Sequence, residues 1–569
     1  MKVQLKFCCL LSALGLLAGC ASPGGSTGVT GDTVECGNGL VVSISGPASE
    51  AGVAILKSGG NAVDAAVATA FSLAVTYPPG GNIGGGGFMI VHPAPGKGKP
   101  VAFNYREVAP RAAFSNMFTP EESQFTRRAV AVPGTVRGMA LAHSRFGSRP
   151  WAELLQPAIG LARNGFSVDR NLAESMNETL AAAKEFPEFQ RVYGKPGGGP
   201  WKAGDRLVQP DLARTLETLA REGPDSFYRG TIAQSVVAEM QRGGGLIAAE
   251  DLSAYRAFEE TPLHARYRDK FDVYVPPSPS SGGTVLVEEL NILNSFDLKK
   301  MGRWSGPTLH VLSEAMRRAN RDRAEFLGDP AFVSIPSRLA SAEHGRELAR
   351  SINLRKATPS AELSRELPGS TEGPNTTHFS IIDRSGMAVA NTYTLERLWG
   401  SRVVVKDMGF LLNNDMRAFN LFPGTPDTNG VTATAANNIS PGKRPLSSQC
   451  PTIVAQDGRV KLITGSPGSQ SIPHTILCTL INLVDFDLPL RSAVDLPRIS
   501  HAWFPDQVVF EAPELYPDSV QALQKLGHTV VKTGPLPQGD AHSIWVPVPG
   551  RYVGAADRRR SEAATAAGY

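Results

Sequence analysis

Two adjacent threonines, Thr376 and Thr377, lie where a polar stretch containing Pro and Gly (357–374) meets an alternating, strand-like run (378–383). A hydroxyl at the junction of an exposed loop and a buried strand suits self-cleavage of the chain between Asn375 and Thr376. The new N-terminal threonine then carries a nucleophilic hydroxyl together with an α-amine, whose ordinary pKa of about 7.7 to 8.0 lets it accept a proton near neutral pH. The alternative interpretation is a threonine-rich edge strand without chemistry.

The elements around this junction are predicted to hold it in a sheet. A second strand-like block, Met387–Glu396, follows a turn at residues 384–386, so the two blocks should pair as a hairpin. Helical patterns precede the junction at 49–56 and 62–73, and a long helical stretch occupies 151–256. Strands then return towards the C-terminus. Periodicity alone therefore indicates a mixed α/β chain.

A run of four glycines, Gly84–Gly87, is the other conspicuous local motif. It lacks the Lys-Ser/Thr ending of a phosphate-binding P-loop and the acidic residue about 20 positions on that a dinucleotide site needs. We therefore interpret it as a close-packed turn beside the site rather than a nucleotide cradle.

In order along the chain, these blocks resemble the γ-glutamyltransferase (glutathione hydrolase) family of N-terminal nucleophile hydrolases. The resemblance runs from about Val41 to Tyr569. The blocks that carry it are Gly59–Ala66, Gly81–Phe88, Tyr105–Glu107, Val132–Thr135, Pro279–Gly283, Asp322–Arg323, Gly373–Ser380, Met387–Glu396, Gly409–Asp415, Arg444–Ser448, Gly465–Ser469 and Ala566–Tyr569.

The resemblance implies a four-layer αββα sandwich, an α+β fold that processes itself into two subunits. The large subunit would be residues 41–375 and the small catalytic subunit residues 376–569, which form a heterodimer from one precursor. The reaction it implies is hydrolysis or transpeptidation of glutathione and other γ-glutamyl amides through a γ-glutamyl ester of Thr376. Water or the amine of an amino acid or peptide would accept the acyl group, and no cofactor is needed.

Site residues follow from the same resemblance. Thr394 would hydrogen-bond the nucleophilic hydroxyl, and Gly468 and Ser469 would offer two backbone amides to the oxyanion, with serine replacing the family's second glycine. The substrate carboxylate would be bound by Arg106, Ser447 and Ser448, because a planar guanidinium suits an anion. Glu396 and Asp415 would receive the substrate ammonium.

The sequence departs from the family at Ala418, which replaces the aspartate that normally grips the ammonium. Losing that contact costs about 1.5 to 3 kcal/mol, roughly tenfold to a hundredfold in binding. The lid between Phe419 and Arg444 also lacks a tyrosine, with Asn429 near the expected position. Two alternatives therefore stay open. One is a related amidase with another acyl group (a glutaryl or cephalosporin acylase, or a polyglutamate transpeptidase), and the other is a non-catalytic, lipid-tethered binding protein.

The N-terminus predicts export and a lipid anchor. Lysines at positions 2 and 6 precede a short apolar run, and Leu17–Cys20 resembles a bacterial lipoprotein box, so residues 1–20 are predicted to be a signal peptide with lipidation at Cys20. Residues 21–40 are predicted to be a flexible tether. Because no acidic residue follows Cys20 directly, the expected location is the periplasm-facing leaflet of the outer membrane.

Composition excludes several other classes of protein. The net charge is +4 over 569 residues, and we find no basic patch interleaved with aromatics, so we expect no nucleic-acid partner. Cys36, Cys450 and Cys478 are scattered, and the sequence leaves their pairing open. No cluster of His, Cys and Asp has metal-ligand spacing, so no metal is predicted.

Overall fold

A computed structural model of the protein describes residues 28–363, 376–423, 434–535 and 537–569. The processing residue Asn375, the lipidation residue Cys20 and the lid residue Asn429 lie outside these ranges. Eighteen α-helices are found in the described ranges: α1 (Gly46–Lys57), α2 (Ala62–Thr76), α3 (Thr135–Phe146), α4 (Trp151–Asn164), α5 (Arg170–Ala182), α6 (Pro187–Tyr193), α7 (Pro210–Glu222), α8 (Ser226–Arg229), α9 (Thr231–Arg242), α10 (Ala249–Ala254), α11 (Ser281–Leu293), α12 (Leu298–Met301), α13 (Gly306–Phe326), α14 (Ala342–Arg350), α15 (Ser360–Leu363), α16 (Ile472–Val484), α17 (Leu490–Asp495) and α18 (Pro517–Leu526).

The strands of the same ranges are β1 (Val29–Gly31), β2 (Thr33–Cys36), β3 (Gly39–Ser43), β4 (Gly86–His92), β5 (Val101–Asn104), β6 (Phe166–Ser167), β7 (Arg206–Leu207), β8 (Phe258–Glu260), β9 (Leu263–Tyr267), β10 (Phe271–Val275), β11 (Thr377–Asp383), β12 (Ala388–Thr394), β13 (Thr452–Gln456), β14 (Arg459–Thr464), β15 (Ile499–Ser500), β16 (Val508–Phe510), β17 (Val530–Lys532), β18 (His542–Val548), β19 (Arg551–Ala556) and β20 (Thr565–Gly568). Two sheets dominate. Sheet A has the order β1-β20-β3-β11-β12-β4-β5-β8, and sheet B has the order β2-β19-β18-β14-β13-β10-β9. Their pairs are antiparallel, so the protein has the expected α+β character.

Three apolar clusters show how the layers stack. Side chains that alternate along a strand point to opposite faces of its sheet. In sheet A, Val42 and Ile90 pack against Ile463 and Ile544 of sheet B, while Val41, next to Val42, packs with α1 and α2 on the outer face. The outer face of sheet B packs against α11, α13 and α16. The order of layers is therefore helix, sheet, sheet, helix, which confirms the predicted αββα sandwich.

The predicted hairpin is present as β11 and β12. Its turn is closed by Asp383, whose carboxylate accepts hydrogen bonds from the backbone N–H of Ser385 at 2.8 Å and of Met387 at 3.2 Å. The register pairs Thr377 with Tyr393. In an antiparallel pair, the residue before Thr377 lies opposite the residue after Tyr393, so this register places Thr376 beside Thr394.

The N-terminal segment differs from the prediction. The flexible tether predicted for residues 21–40 is wrong over residues 29–36, where β1 pairs with β20 and β2 pairs with β19. These edge strands are joined by backbone hydrogen bonds, which do not depend on apolar side chains. The small and polar residues of the segment therefore gave no sign of the pairing. In the described part of the chain no helix is long and apolar enough to cross a bilayer.

Candidate active site

The proposed nucleophile lies beside its predicted partner. The Thr376 hydroxyl donates a hydrogen bond to Oγ1 of Thr394 at 3.3 Å, and both side chains are buried. Thr394 Oγ1 also accepts the backbone N–H of Glu396 at 2.9 Å. Glu396 has a φ of 75°, a left-handed conformation that is uncommon for a residue with a side chain. The hairpin register thus fixes the Thr376 hydroxyl against a second hydroxyl that is itself held by the backbone.

The glycine run holds the carbonyl of Thr394 in place. Asn82 donates its side-chain N–H to the Thr394 carbonyl at 2.9 Å and accepts the N–H of Gly85 at the same distance. A Cβ added to Gly85 would lie 1.9 Å from the Thr394 oxygen, closer than any two such atoms can approach. The run is a close-packed bend beside the site, as predicted, although Gly86 and Gly87 already belong to β4.

Arg106 lies in the middle of a group of carboxylates. It is only 1% exposed, and its Nη1 lies 2.8 Å from Glu107 Oε2 and 2.5 Å from Asp415 Oδ1. Its Nη2 lies 4.0 Å from Glu396 Oε2. Arg106, which was predicted to bind the substrate carboxylate, is therefore itself in contact with Asp415 and Glu396, the two residues predicted to bind the ammonium.

One guanidinium cannot offset this many buried negative charges. Burial raises the pKa of Asp415 well above its usual range, and burial also raises the pKa of Glu107, while Arg106 opposes both shifts. The two carboxyl groups lie against the same guanidinium, so the charge of each opposes ionisation of the other.

Arg106 also reaches the segment with the two serines. Its Nε donates to the carbonyl of Pro445 at 3.2 Å, and its Nη2 donates to the carbonyl of Leu446 at 3.3 Å. Ser447 and Ser448 follow directly and are buried. Ser447 Oγ accepts the N–H of Gln449 at 3.2 Å. The structure thus brings the three predicted carboxylate ligands together.

The predicted oxyanion turn follows β14. Gly465 packs so tightly against the imidazole of His378, two residues after Thr376, that an added Cβ would lie 2.3 Å from its Nδ1. Gly468 has a φ of 137° and Ser469 a φ of 56°. Ser469, which replaces a family glycine, therefore adopts the left-handed backbone conformation that favours glycine. Its backbone N–H remains part of the predicted oxyanion turn.

The residues around Ala418 do not replace the missing aspartate. Ala418 is buried, and its carbonyl accepts the side-chain N–H of Asn437 at 2.7 Å. The preceding Arg417 donates to the carbonyl of Ser123 at 2.6 Å and stacks over Phe118 at 4.1 Å. Of the two residues predicted to receive the ammonium, Asp415 lies 2.5 Å from Arg106 and Glu396 lies 4.0 Å from it.

Two contributors to this site had no predicted role. Glu107 lies within the Tyr105–Glu107 block but was not assigned a function, and Asn82 lies just before the glycine run. An acidic residue directly after a buried arginine was the available signal for Glu107. No local pattern could have identified the contact of Asn82 with Thr394, since the two residues lie more than 300 positions apart in sequence.

Comparison with known proteins agrees with this geometry. The sequence profile of the family described as Gamma-glutamyltranspeptidase matches residues 48–567. The chain belongs to this family. It is 41% identical over 544 residues to the glutathione hydrolase proenzyme of Escherichia coli, covering 94% of this chain and 93% of that protein. It is also 42% identical over 504 residues to the glutathione hydrolase proenzyme of Pseudomonas aeruginosa, covering 86% and 88% of the two chains.

A solved structure shows that the family fold extends over nearly the whole chain. The cephalosporin acylase from Bacillus halodurans superposes with a TM-score of 0.82 at 27% identity, covering 95% of this chain and 97% of the other. The gamma-glutamyltranspeptidase family is one of enzymes. This chain is therefore an enzyme, and the αββα fold is shared by relatives with different names.

Proposed function

We propose that this chain is a self-processing γ-glutamyl hydrolase and transpeptidase that acts on glutathione and related γ-glutamyl amides. The contact between the hydroxyls of Thr376 and Thr394, at the first residue before β11, is the observation that carries the proposal. It places a nucleophile where cleavage of the preceding peptide bond would create a free α-amine on the same residue. The relatives named proenzymes support this order of events.

Maturation and turnover use the same oxygen. In maturation, Thr376 Oγ1 attacks the carbonyl of Asn375, the peptide C–N bond breaks as an ester forms, and water hydrolyses the ester. In turnover, Oγ1 attacks the γ-carbonyl of the donor and passes its proton to the α-amine. The amide C–N bond then breaks, and the leaving amine takes that proton. Water or an acceptor amine then attacks the ester. The backbone N–H groups of Gly468 and Ser469 would stabilise the oxyanion, and one such donor is typically worth about 2.7 to 4 kcal/mol.

Binding of the donor relies on the connected group described above. Arg106, Ser447 and Ser448 would hold the α-carboxylate, and Glu396 would receive the ammonium. A charged group held in a buried site forms stronger contacts than in water, provided that each partner is paired. The Thr394–Glu396 backbone contact links this binding group to the nucleophile.

Intact-mass measurement of the purified protein tests this proposal. Cleavage before Thr376 yields a C-terminal fragment of residues 376–569, about one third of the 60.5 kDa chain. Thr376→Ala should remain one chain and should not turn over γ-glutamyl anilides, whereas Thr376→Ser should still split. A Thr376→Ala protein that splits before residue 376 would refute the assignment. An uncut and inert wild type would favour the binding protein instead.

A second candidate is an amidase for acyl groups that lack the α-ammonium, such as glutaryl groups. Two features of the site favour it: Ala418 replaces the aspartate predicted to bind the ammonium, and the carboxylate of Asp415 contacts Arg106. The fold is also shared with a protein named as a cephalosporin acylase. Comparing kcat/KM for γ-glutamyl and glutaryl anilides separates the two. A clear preference for glutaryl would replace the first proposal.

The location of the enzyme is a further part of the proposal. The lipoprotein-like Leu17–Cys20 motif supports lipidation of Cys20 and anchoring in the cell envelope, facing the periplasm at the outer membrane. Labelled palmitate should enter the full chain and should not enter a Cys20→Ser variant. Equal labelling of both would exclude this anchor.

A further inference from the structure

Three buried side chains from three helices face one another in the helical layer that packs against sheet B. They are Glu288 on α11, Asp322 on α13 and His344 on α14, and their ligand-type atoms all lie within 4.8 Å of one another. They are far apart in sequence, which is why spacing gave no sign of them. Helices α11 and α14 touch closely here, since a Cβ added to Gly345 would lie 2.4 Å from Cβ of Asn291.

Glu288 has an environment that a buried carboxylate does not tolerate by itself. It is 1% exposed, and in the described part of the chain neither of its carboxylate oxygens accepts a hydrogen bond. Asp322 lies beside it, with its ligand-type atom within 4.8 Å, and adds a second carboxyl group to the same buried space. Burying an ionised carboxylate without a partner is very costly. A proton or a cation that contacts both carboxyl groups would stabilise this pair.

We propose that Glu288, Asp322 and His344 bind a divalent transition-metal ion such as Zn²⁺ or Mn²⁺. One imidazole with two carboxylates is a donor set for such ions, whereas Ca²⁺ and Mg²⁺ prefer oxygen ligands throughout. Nε2 of His344 lies 2.9 Å from Oδ2 of Asp322. Two ligands bound at about 2.1 Å and at right angles to each other are about 3 Å apart, so both atoms can bind one ion.

The surroundings of the cluster fit a metal site. The carboxylate of Glu347 lies 3.7 Å from Nδ1 of His344, the ring nitrogen that faces away from the cluster, which is an ion-pair distance and too long for a hydrogen bond. Nε of Arg321 lies 2.7 Å from the other oxygen of Asp322 and contributes one positive charge. The two carboxylates exceed that charge by one, which leaves the cluster attractive to a cation.

A shared proton is the competing occupant, because burial raises the pKa of Glu288 well above its usual range. One proton bridges a single pair of oxygens and leaves the second oxygen of Glu288 without a partner. A metal ion can bind both carboxylates and the imidazole at once. In the described part of the chain, a second buried cluster of this kind lies around Glu314, whose carboxylate already contacts Arg317 and Arg318.

A metal at this position would also brace the substrate-binding segment. Next to Asp322, Nε of Arg323 donates to Oγ of Ser281 at 3.0 Å. The backbone N–H of Ser281 donates in turn to the carbonyl of Ser447 at 2.7 Å. Joining α11, α13 and α14 through one ion would therefore stiffen the helices that hold Ser447. The ion is structural in this proposal and takes no part in acyl transfer, so the proposal does not depend on the substrate.

Cobalt is the probe for the experiment, because protein-bound Co²⁺ has visible absorption bands that report its ligands. The full-length protein is treated with a chelator, which is then removed, and is titrated with Co²⁺, Zn²⁺ and Mn²⁺. We expect one equivalent of Co²⁺ with a nitrogen- and oxygen-ligand spectrum, and a rise in melting temperature with metal. Glu288→Gln should weaken binding by about tenfold or more, as loss of a supporting contact alone often does.

Glu289→Gln is the matched control. Glu289 is the next residue of the same helix and is equally buried, but its Oε1 lies 3.2 Å from Nε2 of His474 rather than in the cluster. It should bind Co²⁺ like the wild type. His344→Asn, at the outer side of the cluster, provides a second variant if Glu288→Gln fails to fold. A wild type that binds no Co²⁺ would overturn the proposal and leave a shared proton as the occupant of the cluster.

Discussion

Asp415 Oδ1 lies 2.5 Å from Nη1 of Arg106, and both side chains are buried. The carboxylate that was expected to receive the substrate ammonium is therefore in contact with the guanidinium that is expected to bind the substrate carboxylate. Glu107 contacts the same guanidinium nitrogen, at 2.8 Å. The sequence also has Ala418 where the family resemblance predicts an aspartate, so both observations concern acidic groups that were predicted to bind the ammonium.

Restoring an acidic residue at position 418 should restore recognition of the ammonium. We expect Ala418→Asp to lower KM for γ-glutamyl anilides by roughly tenfold to a hundredfold, the value of a charge-assisted hydrogen bond at a buried site, with little change for glutaryl anilides. Ala418→Asn is the control, since it fills the same space without the charge. Equal changes for both donors would show that position 418 acts through packing alone. Steady-state kinetics with the two anilides gives the result.

Removing the second hydroxyl should weaken catalysis without unfolding the site. Thr394→Val keeps the shape of the side chain but removes the acceptor for both the Thr376 hydroxyl and the Glu396 N–H. A buried hydrogen bond of this kind is worth about 1 kcal/mol, and a donor left unpaired costs about 1 to 3 kcal/mol. We expect kcat to fall about tenfold or more and KM to rise because Glu396 shifts. Thr394→Ser should retain most of the activity. A Thr394→Val enzyme with wild-type kcat would show that this hydroxyl is dispensable.

Because Ser469 has a left-handed backbone conformation, replacing it with glycine should stabilise the protein. Such a conformation costs a residue with a Cβ about 1 to 2 kcal/mol, while glycine loses about 0.5 to 1 kcal/mol through its greater freedom when unfolded. Ser469→Gly should therefore raise the free energy of unfolding by up to about 1 kcal/mol. Ser469→Ala should not, because it keeps the Cβ. The free energy of unfolding is measured by urea titration of variants that also carry Thr376→Ala, because an uncleaved protein unfolds as a single chain.

The same substitution tests the role of the turn in catalysis. Ser469→Gly keeps the backbone N–H that is predicted to stabilise the oxyanion, so kcat of the processed enzyme should stay within about twofold of the wild type. A large fall in kcat would show that the serine side chain, and not its N–H, is used.

The buried histidine His501 should make the protein sensitive to acid. Burial lowers its pKa from 6.5 to about 4, and it is held neutral by accepting the N–H of Trp503 at 3.0 Å while Asp506 lies 3.4 Å from its other nitrogen. Since the folded-state pKa lies below the unfolded one, its full contribution to stability is present above pH 6.5 and is lost as the pH falls towards 4. One proton changes the unfolding free energy by about 1.4 kcal/mol per pH unit in that window.

Substitution of His501 isolates this contribution. His501→Asn keeps an acceptor for the Trp503 N–H but does not titrate, so the slope of stability against pH between 6.5 and 4 should decrease by about one proton. Urea titrations of the uncleaved protein at several pH values measure the slope. An unchanged slope would assign the acid sensitivity to the other buried histidines.

The sequence predicted the parts of this protein that depend on local pattern. The strand-turn-strand block around Thr376 and Thr394 carries its own turn residues, so its pairing could be predicted. The contact between the two hydroxyls was predicted from the family resemblance instead. The pairing of residues 29–36 could not, because an edge strand is held by backbone groups that every residue has. The partner of Asp415 could not be predicted either, since it is decided by a contact with a residue more than 300 positions away.

By itself, the sequence determined the family and the αββα fold, through the ordered blocks that carry the family resemblance, and it predicted Thr376 as the nucleophile. The tertiary structure decided how charge is distributed. Whether a carboxylate is ionised, paired with Arg106 or left facing another carboxylate, as Glu288 faces Asp322, depends on burial and on distances of a few ångströms. Such distances arise only when segments far apart in sequence pack together.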